Sequence, residues 1–346
     1  MNATVSTEAL ARFEDGFDAL LLEVDERLDL DMKFECAGPG CGSSELARHY
    51  NAWFGRVLLA GYEFNLGDEV GRQLQWLAGV MARHGFGPVY VGRMLEAWSV
   101  AFVSELPQPA ALELARPVDE LRRNLGALVE SAQAVPQLDA EAVRFVQLLL
   151  ARERRAAAEA ALSRKTSVTV TTVELVLPAL RHIGRLWETG RISVADEHAA
   201  TEICRYLLYR LFDSVEPAPA TGSKALVACV PGEEHEIGTE LAAEHLRLGG
   251  WGVFAVGRSA PEDDIIAALS SYGPDVAVFS VTMIANLPAA RHLVDTALAA
   301  RPGLGIVLGG RAAELAAPKL ARPRVVVVTR FDAADEAGRG LAGRDA

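Results

Sequence analysis

The 346-residue sequence predicts an α plus α/β protein: an all-helical N-terminal domain, a helical-bundle cap, and a C-terminal parallel sheet with flanking helices. Three observations predict it. Residues 7 to about 132 place apolar side chains at helical spacing almost without interruption. Residues 137–213 repeat that pattern in three or four segments with short links, as a bundle does. From residue 224 onward, short β-rich apolar runs alternate with helical stretches, the grammar of parallel βαβ units.

Taken in order, the first domain, 1–135, contains four long amphipathic segments: LARFEDGFDALLLEVDERL, LARHYNAWFGRVLLAGYEF, VGRQLQWLAGVMARHGF and VYVGRMLEAWSVAFVSEL. The clusters AGPGCG and HGFGP punctuate them. QAVPQLD marks the passage to the cap, 136–214, whose helices read AEAVRFVQLLLARERRAAAEAALS, TTVELVLPALRHIGRLWE and VADEHAATEICRYLLYRLF. The small-residue linker VEPAPATGS leads into a third domain, 222–335. Its strands are expected in ALVACV, GVFAVG, DVAVFSV, LGIVLGG and RVVVVT, which gives a Rossmann-like sheet.

Composition narrows the function. A net charge of −12 argues against a phosphate-gripping nucleic-acid face, and Arg152, Arg154 and Arg155 read as a solvated helix face. No apolar run reaches membrane-spanning length, and the N-terminus lacks the pattern of a signal peptide, so a cytoplasmic protein is expected. The four cysteines form no CxxC pair. Cys204 and Cys229 sit in apolar surroundings and read as core. Cys36 and Cys41 flank AGPG, where a thioether-linked chromophore is the functional alternative to plain loop thiols.

A doubly wound sheet binds ligands beyond the carboxyl ends of its strands. The first strand runs into PGEEHEIGTE, where Glu233, His235 and Gly238 form an E-x-H-x-x-G pattern. His235 is placed to ligate a metal, Glu233 to accept the proton of its other ring nitrogen, and Gly238 to leave room for a large ring system. The third strand ends in Ser280-Val281-Thr282, and the fourth in Gly309-Gly310, where absent side chains open space. In this order the three features resemble the cobalamin-binding domain of methionine synthase and its relatives. The resemblance implies that His235 replaces the cofactor's own base as lower axial ligand to cobalt. The displaced nucleotide tail would lie beside Ser280, Thr282, Gly309 and Gly310. Glu233 stands where most of that family has Asp.

In the cap, Gly190 is positioned to end one helix, and Ser193 with Asp196 forms a capping-box pattern for the next. Val194, Glu197 and His198 then fall on one face of a first turn, with Trp187 near the same corner. A core Trp, a dipole-favoured Glu and a core His are the bland reading. Trp187 followed by nine residues and Glu197-His198 also resembles the W-x9-E-H signature of CarH-type photoreceptors. That resemblance implies adenosylcobalamin as chromophore, Trp187, Val194 and Glu197 lining the adenosyl pocket, and His198 able to bind cobalt from above after light breaks the carbon–cobalt bond. CarH-type repressors begin with a small basic winged helix-turn-helix domain. Residues 1–135 are acidic and helical instead, so direct nucleic-acid binding is not expected. The layout is similar to that of photocobilins, which add a globin-like biliverdin domain. His49, Tyr50, Trp53, Trp76, His84, Tyr90 and Trp98 are the candidates to hold such a second chromophore.

The expectation is therefore a non-enzymatic light sensor whose self-association changes with illumination and which acts on a protein partner that the sequence does not identify. A corrinoid methyl carrier serving a methyltransferase is the alternative. A radical mutase would need a substrate barrel of about 250 residues, which this chain lacks.

Overall fold

The computed structural model describes residues 5–35, 43–86, 89–130 and 137–343, with backbone alone for 31–35. Cys36 and Cys41 lie outside the described residues. The chain forms two compact units, 1–133 and 134–346. The cap helices and the sheet, separate in the sequence grammar, cluster into the second of these.

The first unit comprises α1 (Thr7–Asp15), α2 (Phe17–Glu35), α3 (Ser44–Phe64), α4 (Gly67–Arg83), α5 (Tyr90–Glu105), α6 (Ala110–Arg123) and α7 (Leu125–Glu130). The first amphipathic stretch is two helices, because Gly16 interrupts it between α1 and α2. Ser6 and Ser43 cap α1 and α3 by accepting the amides of Ala9 and Leu46. Phe13, Phe54, Trp98 and Phe102 are fully buried and fill the core. Gly55 is required there, since a Cβ would lie 2.4 Å from the Trp98 ring.

The second unit opens with α8 (Ala140–Leu150), α9 (Arg154–Leu162), α10 (Val168–Thr171), a π turn (Thr172–Val176), α11 (Leu177–Glu188) and α12 (Val194–Asp213). The single stretch expected over 140–163 breaks at Arg152, whose φ of 62° turns α8 into α9. The π turn sits just before Pro178, which has no amide for the helical ladder. The cap core, built on Phe145, Leu149, Leu175, Ile183 and Leu207, extends onto Leu241 of the sheet module.

That module holds β1 (Lys224–Cys229), α13 (Ile237–Leu248), β2 (Gly252–Gly257), α14 (Glu262–Tyr272), β3 (Val276–Ser280), a 3-10 turn (Ile284–Asn286), α15 (Leu287–Ala300), β4 (Gly305–Gly309), α16 (Arg311–Leu315), α17 (Ala317–Leu320), β5 (Val325–Val327) and α18 (Ala333–Ala342). All five expected strands form, parallel and in the order β2-β1-β3-β4-β5. Ala225, Val227, Val276, Val278 and Val307 pack under α13 and α18. The alternate positions Leu226, Ala277, Phe279, Ile306 and Leu308 are equally buried from the opposite face. Two buried faces explain why these strands read as continuous apolar runs. The edge strands are the exceptions: β2 leaves Phe254 40% exposed and β5 leaves Val326 38% exposed.

Candidate functional site

The strand order reverses between β1 and β3, and such a switch point opens a crevice at the carboxyl ends of the strands. The register aligns Cys229, Ser280 and Gly309 in one row across those ends. The loop after β1 carries Glu233 and His235 directly above that row.

Glu233 is fully buried, and its carboxylate fastens the loop. Oε1 accepts the His235 amide at 3.0 Å and lies 2.5 Å from His235 Nδ1. Oε2 accepts the backbone amides of Thr282 at 2.9 Å and Met283 at 3.0 Å, and the Asn286 side-chain amide at 3.1 Å. Burial alone would raise this carboxyl's pKa. The His235 hydrogen bond and charge, with the Met283 and Thr282 amides, outweigh it and hold the value at about 2. The same hydrogen bond raises His235, against desolvation, with further contributions from the charges of Glu233, Glu197 and Glu234.

The His235 side chain is 57% exposed, and Nε2 has no partner among the described residues. With Nδ1 engaged, Nε2 is the free lone pair that a metal would use. Beside it, a Cβ on Gly238 would stand 3.5 Å from the Ser280 hydroxyl, so the glycine leaves that hydroxyl uncovered. Ser280 is only 7% exposed, and its hydroxyl has no hydrogen-bond partner among the described residues. β3 ends at Ser280, so strand alternation does not reach Thr282, whose backbone serves Glu233 instead. The two glycines after β4 differ. A Cβ on Gly309 would meet only Val328, at 3.7 Å, so this position is open. Gly310 has φ of 97°, and its Cβ would lie 2.3 Å from the Val281 carbonyl, so its glycine serves backbone packing.

Across the crevice stands α12. The capping box forms as the spacing predicts: Ser193 Oγ accepts the Asp196 amide at 3.1 Å and Asp196 Oδ2 accepts the Ser193 amide at 3.2 Å. Gly190, at φ 70°, ends α11. Val194 is 49% exposed and Trp187 half-buried. Glu197 accepts the Thr201 hydroxyl at 2.8 Å and lies 2.5 Å from Nδ1 of the exposed His198. Glu197 is close enough for its charge to act on His235, so the cap motif and the strand-end motif share one neighbourhood.

Sequence reasoning missed several participants. Asn286 also donates to the Gly232 carbonyl at 3.2 Å, steadying the turn before Glu233. Arg205 of α12 reaches Glu236 at 2.7 Å and Glu240 at 3.1 Å. Thr201 orients Glu197, and Thr239 lies 3.0 Å from the buried Cys229 thiol. Each belongs to no motif; Thr201 stands at i+4 from Glu197 and was open to helical spacing, whereas the other pairings join separate segments of the chain.

The second-chromophore candidates divide. His49, Tyr50, Trp53 and Trp76 form a contiguous aromatic group on α3 and α4, with Trp53 and Trp76 5.0 Å apart. Trp98 lies apart from them, fully buried against Phe13, Phe17 and Phe102. Tyr90 is buried and donates to Asn51 at 2.8 Å, while His84 is exposed at the end of α4.

Among the described residues no three His, Cys, Asp or Glu side chains gather to hold a bare ion. A single presented imidazole suits a metal that arrives with its other ligands, as cobalt does in a corrin. The unpartnered Nε2, the uncovered Ser280 hydroxyl and the open Gly309 fit that group, and together with the switch-point crevice they define a cobalamin-binding protein. Residues 223–338 match the family described as B12 binding domain, and residues 141–211 match a second family of the same description. The chain belongs to the B12-binding-domain proteins, and it is similar to the CarA and CarH repressors within them.

The HTH-type transcriptional repressors CarA and CarH of Myxococcus xanthus are 33% and 32% identical over 135 and 142 residues. These spans cover 39% and 40% of this chain and 45% and 46% of the repressors, so the chain matches under half the length of either relative. An uncharacterized 20.5 kDa protein from the bchF-crtJ intergenic region of Rhodobacter capsulatus is 30% identical over 160 residues, 44% of this chain and 80% of that protein. The monomethylamine corrinoid protein of Methanosarcina barkeri has the same fold at a TM-score of 0.50 and 13% identity, covering 57% of this chain and 96% of that one.

Proposed function

We propose that this chain is an adenosylcobalamin-dependent light sensor rather than an enzyme. The observation that carries the reading is the His235 imidazole, fixed through Nδ1 and open at Nε2, in the neighbourhood of a cap that presents Trp187, Val194, Glu197 and His198. Adenosylcobalamin, when bound, supplies a carbon–cobalt bond that visible light cleaves.

The chain's residues have distinct tasks. His235 would hold the cobalt through Nε2, and Glu233 sets the orientation of the ring. Ser280 and Gly309 line the strand ends where the tail of the cofactor would be held, while the backbones of Thr282 and Gly310 fix the loops beside them. Trp187, Val194 and Glu197 close the upper side. The exposed His198, with Nδ1 beside Glu197, would be the residue able to offer the metal a second imidazole. A cap emptied of a large group is a cavity that packing tends to close. Self-association that responds to that rearrangement is the proposed output, passed to a protein partner. Similarity to transcriptional repressors supports the regulatory reading; the acidic helical first unit favours an output other than direct DNA binding.

The aromatic group His49, Tyr50, Trp53 and Trp76 supports a second, flat chromophore of the biliverdin type in the first unit. The alternative function, a corrinoid methyl carrier, has a favouring observation in the shared fold of the monomethylamine corrinoid protein, and fold alone does not separate the two.

The test is the absorption spectrum and molar mass of the full chain prepared with adenosylcobalamin in darkness and then exposed to green light, with and without biliverdin. The expected result is a corrinoid spectrum that changes on illumination together with a change in mass, both lost in His235→Ala. Retained corrinoid without any light response, combined with methyl transfer to a partner methyltransferase, would favour the carrier. Failure to retain corrinoid would overturn both.

A further inference from the structure

The three arginines Arg154, Arg155 and Arg210, two of which the sequence suggests are merely solvated, line an open cavity of about 630 Å³ between α9 and α12. Tyr206, one turn before Arg210, forms its floor, and Ser163 and Glu159 complete its polar wall. The Arg154 guanidinium lies 3.9 Å over the Tyr206 ring, and that of Arg210 lies 6.0 Å from it.

The charge at this place is unbalanced, in contrast to its surroundings. Arg152 pairs with Asp196, Arg164 with Glu141 and Glu174, and Arg205 with Glu236 and Glu240. Arg154, Arg155 and Arg210 have no carboxylate within ion-pair distance among the described residues. Arg154 and Arg155 also occupy the first turn of α9, which has no acidic residue to offset them. Cations at that end oppose the helix dipole, with Glu153 at the N-cap the one neighbouring carboxylate on this turn. No carboxylate ion pair accounts for three guanidiniums around one hollow in a chain of net charge −12.

We propose that this cavity is a binding site for a small soluble organic polyphosphate, of nucleotide size. Guanidinium forks match phosphoryl oxygens bidentately, and three of them suit a ligand with more than one phosphoryl group. The volume lies within the range of small-molecule sites, about 300–1,000 Å³. A nucleic-acid duplex would call for a basic stripe along a surface, and here the basic side chains converge on a hollow. The two guanidiniums beside the Tyr206 ring lower the phenol's pKa, so the ring also reports on what the arginines hold.

The test is calorimetric titration of the full chain with inorganic pyrophosphate and, separately, with ATP. The expected result is one site per chain, saturating below about 1 mM and weakening with salt. The double variant Arg154→Gln/Arg210→Gln should bind at least about tenfold more weakly. Arg152→Gln, whose partner Asp196 lies outside the cavity, should bind as the native chain does. On ligand binding the phenol titration lost in Tyr206→Phe should move to higher pH, because guanidiniums engaged by phosphoryl groups stabilise the phenolate less. Equal binding by the double variant, equal weakening by Arg152→Gln, no saturation by 1 mM, or tighter binding of a short DNA duplex at the same salt would each overturn the proposal.

Discussion

Arg205, about two turns beyond His198 on α12, holds the carboxylate of Glu236 at 2.7 Å, and Glu236 directly follows His235. One guanidinium thus ties α12, which carries Glu197 and His198, to the loop that carries His235. It also reaches Glu240 and Glu202, so its loss leaves several carboxylates facing one another.

Arg205→Gln should lower the unfolding free energy of the second unit by about 1–3 kcal/mol, since removing one partner of a half-buried ion network leaves charges uncompensated. A urea midpoint that falls with an unchanged slope is the expected signature. An unaltered midpoint would show that the network contributes nothing to the cap's seating.

Glu233→Ala should cost about 3 kcal/mol or more, because it strands the amides of Thr282, Met283 and Asn286 in a site with no water access to the buried carboxylate position. Glu233→Gln keeps acceptor capacity and should lose less. Denaturant titration of both variants checks the order; equal losses would mean that the carboxylate's clamp is unimportant.

Gly309 and Gly310 should separate under substitution. Gly310→Ala should destabilise by about 2 kcal/mol or more, given its positive φ and the Val281 carbonyl 2.3 Å from the new Cβ. Gly309→Ala meets only Val328 at 3.7 Å and should stay within about 1 kcal/mol of the native chain while impairing corrinoid retention. Thermal melts paired with retained cobalt distinguish the two outcomes.

His245 should make the second unit acid-sensitive. Desolvation lowers its pKa despite the opposing charges of Asp332 and Asp335, and its Nδ1 is buried without a partner. The unfolded chain takes up a proton near 6.5 that the folded chain resists. The resulting penalty is absent above that pH and grows as pH falls through it toward the lowered folded value. His245→Gln should flatten this part of the profile, read as the melting temperature between pH 7.5 and 5.5; an identical profile in the variant would exclude His245 as the cause.

The sheet module was legible because parallel strands buried on both faces leave unbroken runs such as VAVFS and GIVLG, flanked by helix-length spacers. The cap's corner was legible because Ser193 and Asp196 encode their own local geometry. The break at Arg152 was hidden: a non-glycine residue at positive φ carries no marker in ARERR. Gly310 was seen as open space, and its crowding against Val281 depends on how two strand ends meet. Trp98 looked like a ligand-facing aromatic until Gly55 proved to be cut to its shape. Arg205 and Asn286 were invisible because their partners are 31 and 53 positions away.

The carboxylate of Glu233 receives five donors, two on one oxygen and three on the other, where about four lone-pair sites exist. It has nothing left with which to relay a proton onward. The imidazole above it therefore keeps its proton on Nδ1, and the loop presents the electron pair of Nε2 from a ring that is held in place.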